Sequence, residues 1–253
     1  LKITFLGTGT STGIPTIGCS CPVCRSMDFR DVRLRSSVHL QIDDLSLLID
    51  TSPDFRQQVL THRITKLDAI LFTHSHRDHT AGLDDVRPFN FFQQKDMPIY
   101  GSKAVLDNLR VVFSYAFAEK KYPGVPALKT FKIENKPFKI NNLEITPILG
   151  LHAQMPVFGF RIGDFSYVTD MNFMEETEKA KLKNSKILVL NALRKEPHHS
   201  HFSLPEAIAI AQEVEAEQTY FTHISHAMGL HKTIENELPQ NIQLAYDGLQ
   251  LLL

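Results

Sequence analysis

Thr73-His74-Ser75-His76-Arg77-Asp78-His79-Thr80-Ala81-Gly82-Leu83 concentrates more metal-ligating chemistry than any other part of this 253-residue chain. It reads H-x-H-x-D-H. The apolar run Leu67-Asp68-Ala69-Ile70-Leu71-Phe72 just before it predicts a short buried strand, so the ligands sit where a core strand opens into a loop. Thr80 to Phe89 reads as the first turns of a helix. His74 and His76, two apart, lie on the same side of an extended backbone and can hold one ion through imidazole nitrogens. Asp78 and His79 come from the turn and the helix start, where they can reach a neighbouring ion. So dense a cluster is hard to explain as core or as surface filler.

A second motif lies near the start. All three cysteines fall in Gly18-Cys19-Ser20-Cys21-Pro22-Val23-Cys24, spaced C-x-C-x-x-C. Three thiolates this close can cap one tetrahedral ion, and structural zinc sites are nearly always four-coordinate, so a fourth ligand must come from elsewhere. His226 is the candidate. No cysteine is left for a long-range disulfide, a pattern that suits a reducing compartment and a metal site.

The remaining segments fit around these two. Residues 2 to 6 read as a first strand, followed by the glycine-rich loop Gly7 to Gly13. That loop lacks the Lys-Ser/Thr of a nucleotide-binding P-loop, and its glycines are read as permissive residues that let the backbone pass close to the metal site. Ser37 to Ile42 and Ser46 to Asp50 predict a hairpin turning at Asp43-Asp44, with Asp50 at a strand end and Ser52 capping a helix that starts at Pro53. Lys103 to Phe113 predicts an amphipathic helix, and Phe113, Tyr115, Phe117 and Tyr122 are read as core. Leu143 to Leu149 leads into His152, and Phe165 to Val168 leads into Asp170. A buried strand is expected at Ile187 to Leu190. The histidine cluster His198-His199-Ser200-His201 precedes a helix over Leu204 to Val214 with Ser203 as its N-cap. Thr219 to His226 reads as a strand carrying His223 and His226 at i and i+3.

Composition bounds the class. With 43% hydrophobic residues the chain can bury a substantial core, and its length suits a single α/β domain over residues 1–253. The net charge of −1 supplies no global basic field, which disfavours a large nucleic acid as substrate. No stretch approaches the roughly 18 to 20 consecutive apolar residues of a membrane-spanning helix. The N-terminus enters a strand and not a secretory signal, although without an initiator Met a removed leader stays open.

Taken together, these motifs resemble the metallo-β-lactamase superfamily over nearly the whole chain. The resemblance implies a four-layer αββα sandwich with a binuclear metal site at one edge, and Ala245 to Leu249 resembles the family's closing strand. Carried over position by position, it implies His74, His76 and His152 on a first ion, Asp78, His79 and His223 on a second, Asp170 bridging the two, and Asp50 orienting ligands. Two ions roughly 3.5 to 4 Å apart can share a hydroxide and clamp attacking and leaving oxygens. Many true β-lactamases place a cysteine on the second ion, and this chain has none outside the 19–24 cluster, which points to phosphodiester or lactonase-like thioester hydrolysis.

The cysteine motif together with His223-Ile224-Ser225-His226 narrows the resemblance to the cyclic-phosphate phosphodiesterases associated with carbon–phosphorus lyase pathways. It then implies that Cys19, Cys21, Cys24 and His226 hold a structural zinc. His201 matches a histidine those enzymes keep near the scissile phosphate, and Asp78 and His201 are the residues implied to act in catalysis. The implied cofactors are two divalent catalytic ions, zinc or manganese according to supply, and one structural zinc. A small phosphodiester is the expected partner, the expected location is the cytoplasm with no membrane, and a homodimer stays open. Two alternatives are weighed. A tRNA-maturation-type endonuclease would need the long basic Gly/Pro-rich arm that Gly101 to Ile140 lacks, and a non-catalytic metal-bearing carrier would have lost catalytic ligands that here are all present.

Overall fold

The apolar run before the histidine motif is a strand, Ala69–Leu71, buried throughout as its composition predicts. It is the fourth of six strands that open the chain: β1 (Lys2–Gly7), β2 (Ser37–Ile42), β3 (Leu45–Ile49), β4 (Ala69–Leu71), β5 (Met97–Gly101) and β6 (Leu128–Lys132). Then come β7 (Phe138–Ile140), β8 (Leu143–His152), β9 (Met155–Ile162), β10 (Phe165–Val168), β11 (Ile187–Asn191), β12 (Gln218–Thr222), β13 (Ile242–Leu244) and β14 (Gln250–Leu252). The structure is a computed structural model that describes residues 1–120 and 122–253. Its contacts fall into two units, one of residues 1–7, 35–134 and 248–252, the other of residues 8–34, 135–247 and 253.

The first unit is built on one seven-stranded sheet in the order β14-β1-β2-β3-β4-β5-β6. β14, β1, β2 and β3 pair antiparallel, and β3 to β6 pair parallel. Parallel neighbours require crossovers. α1 (Phe55–Thr61) supplies the first, α2 (Arg77–Thr80) and α3 (Arg87–Gln93) the second, and α4 (Lys103–Val112) with α5 (Ser114–Phe117) the third. Leu48, Ile70 and Phe72 pack with Phe55, Leu83 and Leu106 in its core, each such side chain contributing about 1.5–3 kcal/mol by burial.

Three expectations change here. The helix expected from Pro53 begins at Phe55, because the Ser52 hydroxyl accepts the Asp54 N–H at 3.1 Å and donates to Gln58 at 3.0 Å, forming a turn ahead of the helix. The helix expected over Thr80 to Phe89 is broken into α2, a 3₁₀ stretch at Ala81–Val86, and α3. The break holds the motif against the segment that follows β3: Gly82 donates to the Thr51 carbonyl at 3.0 Å, and a Cβ at Gly82 would lie 2.2 Å from the Ser52 oxygen. Phe113, Tyr115 and Phe117 do join the core, but Tyr122 is 63% exposed, in the irregular stretch between α5 and β6.

The second unit carries a sheet in the order β13-β12-β11-β10-β9-β8-β7, antiparallel from β7 to β10 and parallel from β10 to β13. Its helices are α6 (Glu176–Ala180), α7 (Leu204–Val214) and α8 (His231–Glu235). α7 starts where Ser203 predicts, with a full capping box in which Glu206 reaches back to the Ser203 N–H at 2.8 Å. Leu204, Ala207, Ala211 and Val214, at helical spacing, bury its inner face against Leu188 and Leu190.

Two expectations fail in this unit. The strand expected to run to His226 ends at Thr222, because His223 adopts a left-handed φ of 56° that no strand continues, and His226 begins a 3₁₀ turn. Ala245 to Leu249 is not a strand: β13 stops at Leu244, Gly248 turns the chain at φ 90°, and the next strand, β14, begins at Gln250. Among the described residues no helix is long and apolar enough to cross a membrane.

Candidate metal centre

In the first unit the donors hang from one buried carboxylate. Asp50 follows β3 with a left-handed φ of 63°, and its Oδ1 accepts the Thr73 N–H at 2.9 Å. Its Oδ2 accepts the Thr73 hydroxyl at 2.8 Å and the His79 Nδ1–H at 2.7 Å. A hydroxyl has one proton, so Thr73 Oγ1, having donated to Asp50, accepts from His74 Nδ1 at 2.9 Å. Both His74 and His79 are thereby assigned the tautomer with Nε2 as the lone-pair nitrogen, the form that ligates a metal. His79 Nε2 lies 3.4 Å from Asp78 Oδ2, and the His74 ring is 4.2 Å from His79 and 4.7 Å from His76. Burial pushes the Asp50 carboxyl up, opposed by His79 and the two Thr73 bonds.

In the second unit the donors gather at Asp170. His152 ends β8, and its Nδ1 donates to the Ser200 carbonyl at 2.8 Å, which again leaves Nε2 as the lone-pair nitrogen. Asp170, just past β10, has Oδ1 2.9 Å from His223 Nδ1 and Oδ2 3.4 Å from His201 Nε2. Ligand atoms of His152, Asp170 and His201 all lie within 4.8 Å of one another. The His201 ring stacks on His223 at 5.0 Å and meets His152 edge-on at 4.5 Å. Thr10, in the glycine-rich loop, contacts His223 Nε2 at 3.2 Å, so the loop reaches the donors as expected.

Asp50, Asp170 and His223 all hold left-handed backbone, at about 1–3 kcal/mol each for a non-glycine residue. All three are over-determined by the contacts just described. Thr73, Thr10 and Ser200 were not read as site residues from the sequence. Their positions beside His74, in the glycine loop and between His199 and His201 were the only signal, because a hydroxyl or carbonyl that steers an imidazole looks like any other polar group until the fold brings it there.

The three cysteines and His226 come together in the second unit. Cys19, Cys21 and Cys24 place their Sγ atoms 3.2, 3.5 and 3.5 Å from His226 Nδ1. A tetrahedron with Zn–S of about 2.3 Å and Zn–N of about 2.0–2.1 Å has an S···N edge of about 3.5 Å, so the donors fit a zinc ion. The Cys24 N–H, bonded to Cys21 Sγ, and then His226 pull the Cys21 thiol down to about 6, while burial raises Cys24. A thiolate at neutral pH is what a metal requires.

The sequence pattern of the beta-lactamase superfamily domain matches residues 46–224. Over its whole length the chain is 38% identical to the octanoyltransferase of Porphyromonas gingivalis (strain ATCC BAA-308 / W83), of which it covers 52%. It spans about half the length, or less, of the curated relatives it matches. Among solved structures, a diphosphatase from the PhnP family aligns at a TM-score of 0.93 and 40% identity, covering 99% of this chain and 96% of that one. Zinc-bound PqqB from Methylobacterium extorquens aligns at 0.80 and 20% identity over 100% of both chains, a likeness of fold alone.

Proposed function

Because the chain belongs to the beta-lactamase superfamily and has its α/β metallo-β-lactamase sandwich fold, we propose that it is a metal-dependent phosphodiesterase acting on a small phosphodiester, cyclic ones included. The observation that carries this reading is the 40% identity, across 99% of the chain, to a diphosphatase of the PhnP family. In this reading residues 1–253 work as one hydrolase domain in the cytoplasm. His74, His76 and His152 serve one catalytic ion, Asp78, His79 and His223 a second, and Asp170 both, while Cys19, Cys21, Cys24 and His226 hold a structural zinc.

Two divalent ions, zinc or manganese, would supply electrophilic assistance to the phosphoryl oxygens and a lowered pKa for the attacking water. The rest falls to the chain. Asp50 and Thr73 fix the tautomers of His79 and His74, and the Ser200 carbonyl fixes that of His152. His201, beside Asp170 and stacked on His223, is placed to hold a proton for the departing alkoxide.

The test is turnover of bis-p-nitrophenyl phosphate and 2′,3′-cyclic nucleotides after reconstitution with Zn²⁺ or Mn²⁺. Activity that disappears on chelation and returns with metal supports the reading. Metal-replete protein that leaves every diester intact sinks it, and turnover of diphosphates alone moves the chemistry to an anhydride.

A further inference from the structure

One end of the first unit's sheet is polar. Register sets Lys2, Gln41 and Ser46 opposite one another across β1, β2 and β3. One row further in, Thr4 faces His39, with Gln250 of β14 at its other side. Opposed residues, and residues two apart along a strand, share a face. These six therefore occupy the same face as Leu48, which packs into the apolar core, yet here the face turns to hydroxyl, amide, imidazole and ammonium groups. Together with the loop that follows α1 they line a half-open cavity of about 200 Å³.

The charge of that cavity is one-sided. Lys2, Arg63 and Lys66 line it with the imidazoles of His39 and His62, and among the described residues no carboxylate is in its lining. Asp68 stands near it, held by Lys66 at 3.1 Å, Lys95 at 2.8 Å and the Ser46 N–H at 2.9 Å. The Ser46 hydroxyl donates to the Lys66 carbonyl at 2.6 Å, so it accepts from His39 Nε2 at 2.8 Å. Carbonyls at the end of α1 already accept the N–H groups of His62, Arg63 and Ile64. Burial, then the Lys2 charge, depress the His39 imidazole to about 4, and the same two causes lower His62. None of the metal donors lines this space.

We propose that this pocket binds a small phosphate-bearing anion, either inorganic phosphate or the monoester group of a sugar phosphate. Arg63 and Lys2 supply the charge-assisted donors that phosphate oxygens take, while Lys66 is engaged with Asp68 and the Asp44 carbonyl. At roughly 30 Å³ per water, the cavity holds several waters, enough for a phosphate with a short alcohol attached. A bound dianion beside Lys2 would counter the charge that disfavours protonation of the two histidines.

The experiment is an NMR titration of the His39 and His62 imidazoles in the full chain with inorganic phosphate, with ribose 5-phosphate, and with chloride at matched ionic strength. Saturable shifts with a phosphate but not with chloride are expected, together with a raised apparent pKa at His39. Arg63→Gln should weaken that binding roughly tenfold or more, as the loss of a charged hydrogen bond does. Lys2→Gln, at an exposed position, serves in its place if Arg63→Gln fails to fold, and Arg56→Gln, outside the pocket, should leave affinity unchanged. Tighter binding of ribose 5-phosphate identifies the monoester as the ligand, and equal binding identifies free phosphate. No saturable shift, an equal shift with chloride, or unchanged affinity in a folded Arg63→Gln or Lys2→Gln variant overturns the proposal.

Discussion

Asp50 Oδ2 accepts the Nδ1–H of His79 at 2.7 Å, with both side chains fully shielded from solvent. The same carboxylate takes both protons that Thr73 can give, and through the Thr73 hydroxyl it also sets the tautomer of His74. One buried aspartate thus aims two imidazoles.

Asp50→Asn should therefore keep the fold, since Asn tolerates left-handed backbone, and lose metal affinity by roughly 10- to 100-fold. Competition against a chromophoric chelator measures the affinity, and circular dichroism the fold. Wild-type affinity in the folded variant would leave Asp50 a purely structural residue.

Cys21→Ser removes a thiolate from the sulfur site while leaving the donors around Asp170 intact. Thermal stability should fall markedly, as it does on loss of a structural metal, whereas turnover per folded molecule should change little. Asp170→Asn should do the reverse. Elemental analysis with absorption-edge spectroscopy counts the sulfur-bound ion, and equal losses of activity in the folded fractions of the two variants would contradict this division.

His201 contacts Asp170 and stacks on His223, a position suited to a proton donor at the leaving oxygen. His201→Ala should slow an alkyl or ribosyl diester by roughly 10²- to 10⁴-fold, yet barely affect a p-nitrophenyl diester, whose leaving group needs little protonation. Equal loss on both substrates would make it a phosphate-positioning residue instead.

Asp247 is half-buried, accepting the Thr8 hydroxyl at 2.7 Å and the Leu34 N–H at 2.6 Å. Burial pushes its carboxyl up to about 6 against those bonds and the Arg33 charge. A raised folded-state pKa means that the native protein holds this proton more tightly than the unfolded chain. Its stabilisation is complete below about pH 4 and is lost as pH rises through about 6, a change on the order of 2–3 kcal/mol. Asp247→Asn keeps an acceptor and removes the titration, so its stability relative to wild type should improve across that window. Denaturant midpoints at a series of pH values measure it, and parallel curves for the two proteins would place the carboxyl in the ordinary range.

Much of the candidate site could be read directly from the chain. H-x-H-x-D-H and C-x-C-x-x-C are local patterns, and covalent geometry alone keeps such residues close enough to share ions. The buried strand at Ala69–Leu71 and the capped helix at Leu204–Val214 were likewise legible, because apolar runs and caps act within a few residues.

Where the reading failed, distant contacts had overruled local preference. Thr219 to His226 reads as a strand, but His223 stands in left-handed backbone with Thr10 and Asp170 at its two ring nitrogens, contacts made across 213 and 53 residues. The helix over Thr80 to Phe89 was broken by the approach of Gly82 to Ser52.

The sequence by itself determined which residues are the candidate metal donors, because spacing along the chain sets the reach of neighbouring ligands. Only the tertiary structure decided the tautomers of His74, His79 and His152, the left-handed turn at His223 that sets its ring between Thr10 and Asp170, and the basic pocket around His39. Each of these depends on closing long stretches of chain, a conformational-entropy cost that burial of the two cores offsets and that no local pattern records.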